Sequence, residues 1–394
     1  MGRTLNIFIL HASDMLTDCR PHGDGLMANA FIRNLAERGH HLHVAVSDSE
    51  LKEPYSSNVT LHRIDTGKKT TGFLARVRFA LGAHRTLKHL VRRGVVDIVH
   101  QLNPVVTGIS LPCWNCARPV VLGPYVPDWP LILYNGRLEP PRAIDRWKIR
   151  MKREIVQLQH RIASAIILST PAALDKIRNR AGYKNKVHVI PYGVDIEAFS
   201  MSPMPAEKVI LFVGSLMQHK GVFVLLEAFR QVLRIFPDCR LVLAGIGSEA
   251  EKAKSVAATY DNPESVEFLG RIAHEDLPRV MRRGSIVCIP SFGEAFGLVA
   301  LEAMACGRPV VGTEASGLAY LIADQGGHKV PVGDADKLAQ SLIAILSDPV
   351  KARAMGEFNR SLAERQYAWP RVIHKLEEAY ADALARYKGG KFSV

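Results

Sequence analysis

Two doubly wound α/β domains of similar size are the architecture that the sequence predicts. Short apolar runs rich in β-branched residues alternate with longer segments of helical spacing nearly from end to end, a pattern typical of parallel sheets covered by helices. A chain of 394 residues is also too long for one ordinary hydrophobic core. The alternation restarts after a polar, proline-bearing linker at 200–208. We therefore expect domains at 1–195 and 205–369, with a cleft between them.

The first half contains the signals of an alternating sheet. A glycine-bearing loop at 20–25, which includes Gly23, Asp24 and Gly25, is predicted to lead into a helix over about 26–37. Strands are predicted at 5–10, 41–46, 97–101, 119–123, 164–169 and 186–191.

The second half repeats the pattern and ends on a helix from 370 to about 388. Ligands of such sheets bind beyond the carboxyl ends of the strands, so the loops that follow the strands are where a functional site is expected. Strands are predicted at 209–214, 240–245, 266–270, 285–290, 308–312 and 328–331.

The positive charge is concentrated in the first half of the chain. The sequence contains 51 Lys and Arg against 38 Asp and Glu, a net charge of +13. Residues 1–190 hold 28 basic and 14 acidic residues, whereas residues 191–394 hold 23 and 24. Two segments, 67–94 with eight basic and no acidic residues and 142–153 with six basic and one acidic, alternate basic and apolar residues at helical spacing.

These two basic segments have two interpretations. They are either solvated helix faces or a surface attracted to an anionic partner, which is a phospholipid headgroup layer or an anionic acceptor. Nucleic acid is disfavoured as a partner because no aromatic-interleaved basic motif or known binding module appears. The functional interpretation therefore predicts an anionic membrane surface as the partner of 67–94 and 142–153.

The composition is that of a soluble protein from a reducing compartment. No apolar run approaches the ~20 residues that span a bilayer, and the first apolar stretch is too short for a signal peptide. Six cysteines in so long a chain do not suggest a disulfide framework. Cys113 and Cys116, in CWNC, lack a second pair of ligands at zinc spacing, so we interpret them as structural. A cytoplasmic location is expected.

Two glycine-bearing loops of the second half are candidate phosphate sites. Gly245, Gly247 and Ala250 fit a dinucleotide-binding pattern, but they follow the second strand of their half, which favours an ordinary tight turn. Lys220 stands just before a glycine and a predicted helix start, where a cation beside free backbone N–H groups suits a diphosphate. The alternative is an exposed lysine in a turn.

A third loop lies within 290–311 and leads into an apolar helix with a single carboxylate, Glu302. Glu294 stands eight residues earlier, and a helix that begins near Gly297 directs its first N–H groups toward the loop. A buried carboxylate requires a partner, and its two oxygens suit the vicinal hydroxyls of a sugar or ribose. The alternatives are that Glu302 pairs with an arginine such as Arg308, or that its helix face is hydrated.

Taken together, these motifs resemble those of the retaining GT-B glycosyltransferases of group 1, family 4. Glu294 and Glu302 match the family's E-x7-E motif, and VGSLMQHKG at 213–221 matches its diphosphate motif. The segment 266–291 matches the region between these motifs. The first half is similar more loosely, through GDGLMANAFIRNLAERGHHLHVAV at 23–46.

The resemblance implies a nucleotide-sugar donor on the second domain, an acceptor on the first, and a C-terminal helix, 370–390, that packs back on the first domain. Lys220 would neutralise the donor diphosphate, Glu302 would bind the ribose hydroxyls, and Glu294 would bind hydroxyls of the transferred sugar. The implied catalytic residues are Glu294, Lys220, His100 and Asp128, with His100 equally consistent with a structural role. The other implied donor contacts are Gly214, Ser215, His219, Arg271, Ile272, Phe296, Gly297 and Leu298, and Gly23, Asp24 and Gly25 would form an acceptor or phosphate loop.

Two positions depart from the family pattern. Ser215 stands where the family usually has an arginine, so His219 or an arginine elsewhere is a candidate for the missing charge. The loop 123–130 lacks the histidine that the family often has there, which makes Tyr125 or Asp128 a candidate replacement.

The activity implied is transfer of a hexose, with retention, from a UDP- or GDP-linked donor to a sugar, lipid-linked or other small acceptor. It would serve glycolipid, lipopolysaccharide, polysaccharide or glycoside biosynthesis, in a cytoplasmic protein peripheral to the inner face of the cell membrane. No metal or other cofactor is required, since Lys220 and the helix N-terminus would stabilise the leaving diphosphate. Asp334 and Asp336 are interpreted as a helix cap rather than a metal site. The alternatives are a UDP-GlcNAc 2-epimerase-like enzyme and a degenerate GT-B protein that binds a nucleotide sugar without catalysis.

Overall fold

The computed structural model describes residues 3–11, 15–19, 23–67, 72–103, 106–127, 132–134 and 137–387. The chain divides into two compact units, and each unit is assembled from stretches that are separated in the sequence. The first unit comprises Met1–Val126, Ala143–Tyr192 and Trp369–Val394, and the second comprises Pro127–Arg142 and Gly193–Ala368.

Strands and helices alternate along both units. The strands are β1 (Asn6–His11), β2 (Leu16–Thr17), β3 (His41–Val46), β4 (Ser49–Glu50), β5 (Val59–Arg63), β6 (Ile98–Leu102), β7 (Val120–Tyr125), β8 (Ile132–Tyr134), β9 (Arg137–Glu139), β10 (Ala165–Leu168), β11 (Val187–Val189), β12 (Val209–Val213), β13 (Arg240–Ala244), β14 (Val266–Gly270), β15 (Ile286–Ile289), β16 (Val310–Thr313) and β17 (Gly327–Val330). The helices are α1 (Gly23–Glu37), α2 (Phe73–Arg92), α3 (Ala143–Ile162), α4 (Arg180–Tyr183), α5 (Val222–Ile235), α6 (Ala250–Ala257), α7 (Leu277–Arg283), α8 (Leu298–Ala305), α9 (Ser316–Leu321), α10 (Ala335–Leu346), α11 (Pro349–Leu362) and α12 (Trp369–Arg386).

A seven-stranded parallel sheet forms the centre of the first unit, in the order β11-β10-β7-β6-β1-β3-β5. Strands β6, β7 and β10 are buried along their whole length, as expected where helices cover both faces of a parallel sheet. In this order β1 is followed by β3 toward one edge of the sheet, whereas β6 is followed by β7 toward the other edge. The topological switch point therefore lies between β1 and β6.

Helix α12 belongs to the first unit although it follows the second unit in sequence. Trp369 packs edge-on against Phe31 of α1, with ring centroids 5.0 Å apart. Arg38 and Glu377 form an ion pair with 2.7 Å between Nη2 and Oε2. Tyr380 is fully buried, in a helix that contacts β7 and β10. The predicted return of the C-terminal helix to the first domain is confirmed.

The second unit is built on a six-stranded parallel sheet in the order β14-β13-β12-β15-β16-β17. Its switch point lies between β12 and β15, because β12 leads to β13 on one side and β15 leads to β16 on the other. The antiparallel pair β8-β9 is grouped with this unit. Two doubly wound domains are therefore confirmed.

The predicted linker at 200–208 is part of the second unit, and the units divide earlier, between Tyr192 and Gly193. Arg308 holds this linker in place although its side chain is fully buried. Its guanidinium donates to the carbonyl oxygens of Ser202 at 3.1 Å and Pro203 at 3.0 Å, and to the hydroxyl of Ser202. These hydrogen bonds from the two terminal nitrogens of a buried charge explain why a polar segment is ordered here.

The sequence pattern located most elements to within about two residues, and two differences have physical causes. Edge strand β5, VTLHR, was not predicted because none of its residues is fully buried and it therefore lacks an apolar run. Helix α1 begins at Gly23 rather than at 26, so Gly23, Asp24 and Gly25 form its first turn and not a loop. The positive end of the helix dipole favours a carboxylate such as Asp24 in that turn.

Two expectations from composition concern the cysteines and the membrane. All six cysteines are free, and Cys113 and Cys116 are buried. Burial raises the pKa of both thiols, which supports a structural rather than a redox role. Among the helices of the described residues, none has both the length and the apolarity needed to cross a bilayer.

His160 of α3 generates a prediction about pH. Its ring is fully buried, lies perpendicular to the ring of Tyr125 with centroids 5.3 Å apart, and has no hydrogen-bond partner on either nitrogen within the described part of the chain. Burial lowers the pKa of His160 to about 4. Between the unfolded pKa near 6.5 and this value only the unfolded chain binds the proton, so acid weakens folding by up to about 3 kcal/mol at this residue.

We expect His160→Phe to be more stable than the parent chain at pH 7 and to lose less stability on acidification to about pH 4.5. Urea unfolding across this pH range measures both effects. His374→Phe is the matched control, since His374 is exposed on α12. Equal pH dependence of the His160→Phe variant and the parent chain would contradict the assignment.

Candidate functional site

The carboxyl ends of β12 and β15 place two loops side by side at the switch point of the second sheet. The loop after β12 contains Gly214, Ser215, His219 and Lys220, and the loop after β15, at 290–297, contains Glu294. Crevices of this kind, at strand carboxyl ends beside a switch point, are where open parallel sheets bind ligands.

Backbone contacts hold these two loops together. The N–H of Phe292 donates to the carbonyl oxygen of His219 at 2.8 Å. Gly221 has a φ of +75°, and a Cβ on it would lie 2.0 Å from the carbonyl oxygen of Pro290. Only glycine fits this approach.

The loop after β13 is fixed to the loop after β12 in the same way. The N–H of Leu216 donates to the carbonyl oxygen of Ile246 at 2.9 Å. A Cβ on Gly245 would lie 1.8 Å from the carbonyl oxygen of Gly214, and one on Gly247 would lie 2.1 Å from that of Leu216. The glycines of the dinucleotide-like pattern therefore serve loop packing, as the tight-turn interpretation predicted.

Lys220 and Glu294 meet across the two loops. Lys220 Nζ lies 2.5 Å from Glu294 Oε1, and the two side chains are 22% and 17% exposed. Ser291 Oγ donates to the same oxygen at 3.0 Å, and the carbonyl oxygen of Glu294 accepts from the N–H of Gly317 at 2.9 Å. The structure thus brings together two residues that the sequence places 74 positions apart.

Glu302 lies on α8, one turn beyond the helix start. Gly297 caps this helix with a φ of +101°, and a Cβ on it would lie 2.7 Å from Leu318 Cδ2. Glu302 retains a partly exposed side chain, but its Oε2 atom is buried and has no hydrogen-bond partner in the described residues. Burial of the carboxyl group raises its pKa to about 8.

The predicted alternative for Glu302, pairing with Arg308, is wrong. Arg308 directs its guanidinium to the linker and to the carbonyl oxygen of Arg282 at 3.1 Å. The Oε2 atom of Glu302 is therefore a buried acceptor without a donor in the described residues, which is unfavourable unless a ligand supplies one.

The other predicted donor contacts occupy the same edge of the sheet. Arg271 and Ile272 follow β14, and the N–H of Gly245 donates to the carbonyl oxygen of Gly270 at 2.8 Å, which fixes the start of their segment. Phe296, Gly297 and Leu298 form the start of α8. These residues all lie beyond the carboxyl ends of strands, which is where the sequence motifs predicted them.

Ser215 and His219 decide how much positive charge the loop after β12 contributes. Ser215 is exposed and adds no charge. Burial lowers the pKa of His219, with a further contribution from the charge of Lys220, so the imidazole is neutral near pH 7. His219 does not replace the missing arginine at that pH, and Lys220 is the cation that this loop provides.

In the first unit, Asn103 is a residue that the sequence motifs did not identify. It follows β6 beside the switch point, has a φ of +45°, and donates from Nδ2 to the carbonyl oxygen of Asp24 at 3.4 Å. Tyr192 donates its hydroxyl to Asn103 Oδ1 at 3.2 Å. The available signal was an asparagine directly after a strand, a type that tolerates positive φ. Asn103 holds the first turn of α1, which contains Gly23, Asp24 and Gly25.

The prediction of a catalytic role for His100 is corrected in favour of its structural alternative. The ring is fully buried, its Nε2 donates to the carbonyl oxygen of Gly123 at 3.0 Å, and its Nδ1 accepts from the hydroxyl of Tyr380 at 2.7 Å. Burial lowers its pKa to about 4, so it stays neutral. With both nitrogens occupied inside the first unit, His100 ties β6 to β7 and α12.

The two candidates in the loop 123–130 have different outcomes. Tyr125 is buried in the core of the first unit, and burial raises the pKa of its hydroxyl, so it does not replace the missing histidine. Asp128 lies outside the described residues, and its role stays a prediction.

The interpretation of this segment as a helix cap is confirmed for Asp334, whereas Asp336 lies in the first turn of the helix. Asp334 Oδ1 accepts from the N–H of Lys337 at 2.8 Å and caps α10, and Asp336 Oδ1 accepts from Gln231 Nε2 at 2.7 Å. The described residues contain no group of three or more His, Cys, Asp or Glu side chains arranged to hold a metal ion.

Gly221 and Gly270 offer a matched test of the loop packing. Both have similar positive φ values, +75° and +69°, but nothing lies within 4 Å of a Cβ on Gly270. We expect Gly270→Ala to cost about 1 kcal/mol of unfolding free energy from backbone strain alone. Gly221→Ala should cost clearly more, because it also forces the loops after β12 and β15 apart. Urea unfolding of the two variants measures the difference, and equal losses would contradict this account.

Two family descriptions match consecutive parts of the sequence. Residues 25–198 match the family model described as Glycosyltransferase Family 4, and residues 195–362 match that described as Glycosyl transferases group 1. Among curated proteins, the phosphatidyl-myo-inositol mannosyltransferase of Mycolicibacterium smegmatis is 28% identical over 321 residues, which cover 78% of this chain and 77% of that protein. The D-inositol 3-phosphate glycosyltransferase of Segniliparus rotundus is 32% identical over 214 residues, 50% of this chain and 47% of that protein.

Solved structures show the same fold. The sucrose-phosphate synthase from Thermosynechococcus elongatus has a TM-score of 0.73 at 22% identity and covers 96% of this chain and 99% of its own. HepE from Anabaena, in complex with UDP and glucose, has a TM-score of 0.70 at 18% identity with the same coverage. Together with the two consecutive family matches over 25–362, they show that the chain belongs to the group 1, family 4 glycosyltransferases of the GT-B fold.

Proposed function

We propose that this glycosyltransferase is a hexosyltransferase that moves a sugar, with retention of configuration, from a UDP- or GDP-linked donor to an acceptor. The observation that carries the proposal is the Lys220–Glu294 contact at the switch point of the second sheet, on the loop that leads into the helix carrying Glu302. These three side chains match the three chemical parts of a nucleotide-sugar donor.

Each part of such a donor has a suitable group at this edge of the sheet. The diphosphate carries negative charge, which the ammonium of Lys220 and the N-terminus of α8 would stabilise. The ribose has vicinal hydroxyls, which would donate to the carboxyl group of Glu302, whose Oε2 atom has no partner in the described residues. The transferred sugar has further hydroxyls, which would donate to Glu294.

The proposed mechanism relies on positioning and on stabilisation of charge. Departure of the diphosphate leaves an oxocarbenium-like sugar, and the departing phosphate oxygen takes the proton of the acceptor hydroxyl on the same face. Lys220 and the first N–H groups of α8 stabilise the negative charge that develops on the leaving group, and Glu294 holds the sugar. This scheme requires no metal ion, because protein groups supply the positive charge.

The names and descriptions of similar proteins support a nucleotide sugar as the donor and a lipid or glycan as the acceptor. The mycobacterial relatives are named for mannosyl transfer to phosphatidyl-myo-inositol, and WaaG, with a TM-score of 0.62, is described as involved in lipopolysaccharide biosynthesis. HepE is described in complex with UDP-glucose. A nucleotide-sugar donor and an acceptor in glycolipid, lipopolysaccharide, polysaccharide or glycoside biosynthesis are therefore proposed for this chain.

A ligand panel tests the proposal. Thermal shifts with UDP, GDP, ADP and their sugars identify the donor, and incubation of that donor with candidate acceptors, followed by NMR of the product, establishes transfer and anomeric configuration. We expect one nucleotide class to stabilise the protein and the product to keep the donor's configuration. Turnover of UDP-GlcNAc without an acceptor would indicate the epimerase alternative, and nucleotide binding without sugar release from any donor would indicate the non-catalytic one.

Glu294 and Glu302 should differ in what their removal affects. We expect Glu294→Ala to reduce kcat for transfer more than it weakens nucleotide binding, whereas Glu302→Gln should weaken nucleotide binding directly. Because ribose hydroxyls prefer the ionised carboxylate and the free carboxyl group has a pKa raised to about 8, affinity should increase as pH rises from 7 to 9. Calorimetry at several pH values should show this increase in the parent chain and not in Glu302→Gln. Unchanged activity and binding in both variants would rule out the site.

We further propose that the first unit binds an anionic membrane surface through α2 and α3. On α3, the apolar residues Ile144, Trp147, Met151 and Leu158 recur at helical spacing and are all exposed, with Trp147 60% exposed. On α2, the exposed apolar residues are Phe73, Leu74, Val77 and Leu81.

A further exposed aromatic residue lies on a segment that contacts both helices. The segment Leu111–Asn115 contacts both α2 and α3 and carries Trp114, which is 61% exposed. Exposed basic side chains surround the apolar residues, including Arg76, Arg85 and Lys88 on α2 and Arg146, Lys148 and Arg150 on α3. Apolar residues that enter the interface and cations that meet lipid phosphates are the two elements of a peripheral membrane surface. This surface would place the protein on the inner face of the cell membrane, within reach of a lipid-linked acceptor.

Vesicle co-sedimentation tests the membrane surface. We expect binding to vesicles with anionic lipid and little binding to neutral ones, and weaker binding between about 0.05 and about 0.5 M NaCl because salt screens surface charge. Replacing both Trp147 and Met151 by Ser should lower the partition coefficient about tenfold or more, since their apolar area no longer enters the interface. Val350→Ser is the control, because Val350 is 81% exposed but lies on the second unit. Equal losses in the two variants, or undiminished binding to neutral vesicles in high salt, would contradict the proposal.

A further inference from the structure

Ser291 occupies an unusual position beside Glu294. It lies two residues beyond the end of β15. Its side chain is 1% exposed, and its hydroxyl donates to Glu294 Oε1 at 3.0 Å. The carbonyl oxygen of Ser291 in turn accepts from Thr313 Oγ1 at 2.6 Å, at the end of the neighbouring strand β16. Thr313 is also 1% exposed. A short series of buried hydrogen bonds thus leads from one strand end, through Ser291, to the carboxylate.

Ser291 and Lys220 donate to the same oxygen, Glu294 Oε1. The two contacts differ in how a donor would affect them. A diphosphate attracts the ammonium of Lys220 and competes with Glu294 for it, so the ion pair weakens when its charge is needed elsewhere. The hydroxyl of Ser291 is neutral and buried, and its contact with Glu294 does not depend on that competition.

We propose that Ser291 is a positioning residue that holds Glu294 in place while Lys220 serves the diphosphate, with Thr313 fixing the backbone of Ser291. Because Lys220 and Ser291 both engage Oε1, the other carboxylate oxygen is the one directed to ligand hydroxyls. The inference rests on the proposed role of Glu294 toward the transferred sugar. The inference assigns Ser291 a role that acts through Glu294 and not through direct contact with the donor.

The test uses the 394-residue chain and four single variants, followed by a double-mutant cycle. Ser291→Ala removes the hydroxyl, and Ser291→Thr retains it. Ser285→Ala is the matched control, because Ser285 stands at the opposite end of the same strand, is also buried, and donates from Oγ to the carbonyl oxygen of Glu207 at 2.7 Å. Ser285→Ala therefore also removes a buried hydroxyl of this unit, but far from Glu294 along the strand.

We expect Ser291→Ala to lower kcat about tenfold while the Kd for the free nucleotide changes less than about twofold. Ser291→Thr should restore most of the activity, and Ser285→Ala should leave kcat unchanged. Thr313→Val, which keeps the side-chain shape, should cause a smaller loss of kcat. If Ser285→Ala lowers kcat as much as Ser291→Ala, a general loss of stability explains both and the positioning role is wrong.

A double-mutant cycle separates positioning from other effects. In a Glu294→Ala background, Ser291→Ala should lower kcat by less than about twofold, because the group it positions is already absent. A full tenfold loss in that background would overturn the inference. An active parent chain in which Glu294→Ala has no effect would overturn the proposed role of Glu294. A clear effect of Glu294→Ala with none of Ser291→Ala would overturn the role of Ser291 alone.

Discussion

Close approach of backbone to backbone at the carboxyl edge of the second sheet is the constraint on which the site depends. Gly221 approaches Pro290, Gly245 approaches Gly214, and Gly317 has room for no side chain beside Phe296, where a Cβ would lie 2.6 Å from the Cα. Each contact removes the space that a Cβ would occupy, so the loops after three strands form one packed layer. That layer is what brings Lys220 to Glu294.

Not every ionisable group in this layer has a hydrogen-bond or ion-pair partner within the described part of the protein. Lys220 and Glu294 neutralise each other, whereas the carboxyl group of Glu302 is desolvated without a compensating donor, and burial raises its pKa. Perturbed and unpartnered groups of this kind are unfavourable for folding and are typical of ligand sites. Arg308 is better satisfied, since both of its terminal guanidinium nitrogens donate to the linker or to Arg282, although its Nε has no partner among the described residues.

The two units differ in how their charges are used. The first half of the chain holds the whole excess of positive charge, and α2 and α3 present it beside exposed apolar side chains. Its histidines at 100 and 160 are buried and neutral and belong to the core. The second half of the chain has nearly balanced charge, 23 basic against 24 acidic residues, and Lys220 is the cation that the loop after β12 provides. This division agrees with the proposed membrane surface on the first unit and the proposed donor site on the second.

The sequence by itself determined the fold class, most elements and the motifs at Lys220, Glu294 and Glu302, whereas the return of the C-terminal helix was implied by the family resemblance. Apolar periodicity and glycine spacing are local properties, so they can be recognised without knowing what packs against them. The family resemblance then supplied chemical roles that spacing could not.

Only the tertiary structure decided which partner each polar side chain has. His100 became structural because Tyr380, 280 positions away, and Gly123 occupy its ring nitrogens. The alternative pairing of Glu302 with Arg308 is wrong because Arg308 donates to the linker, and Ser291 is significant because its hydroxyl donates to Glu294. These outcomes depend on contacts between residues distant in sequence, and no local pattern records the distance between two side chains.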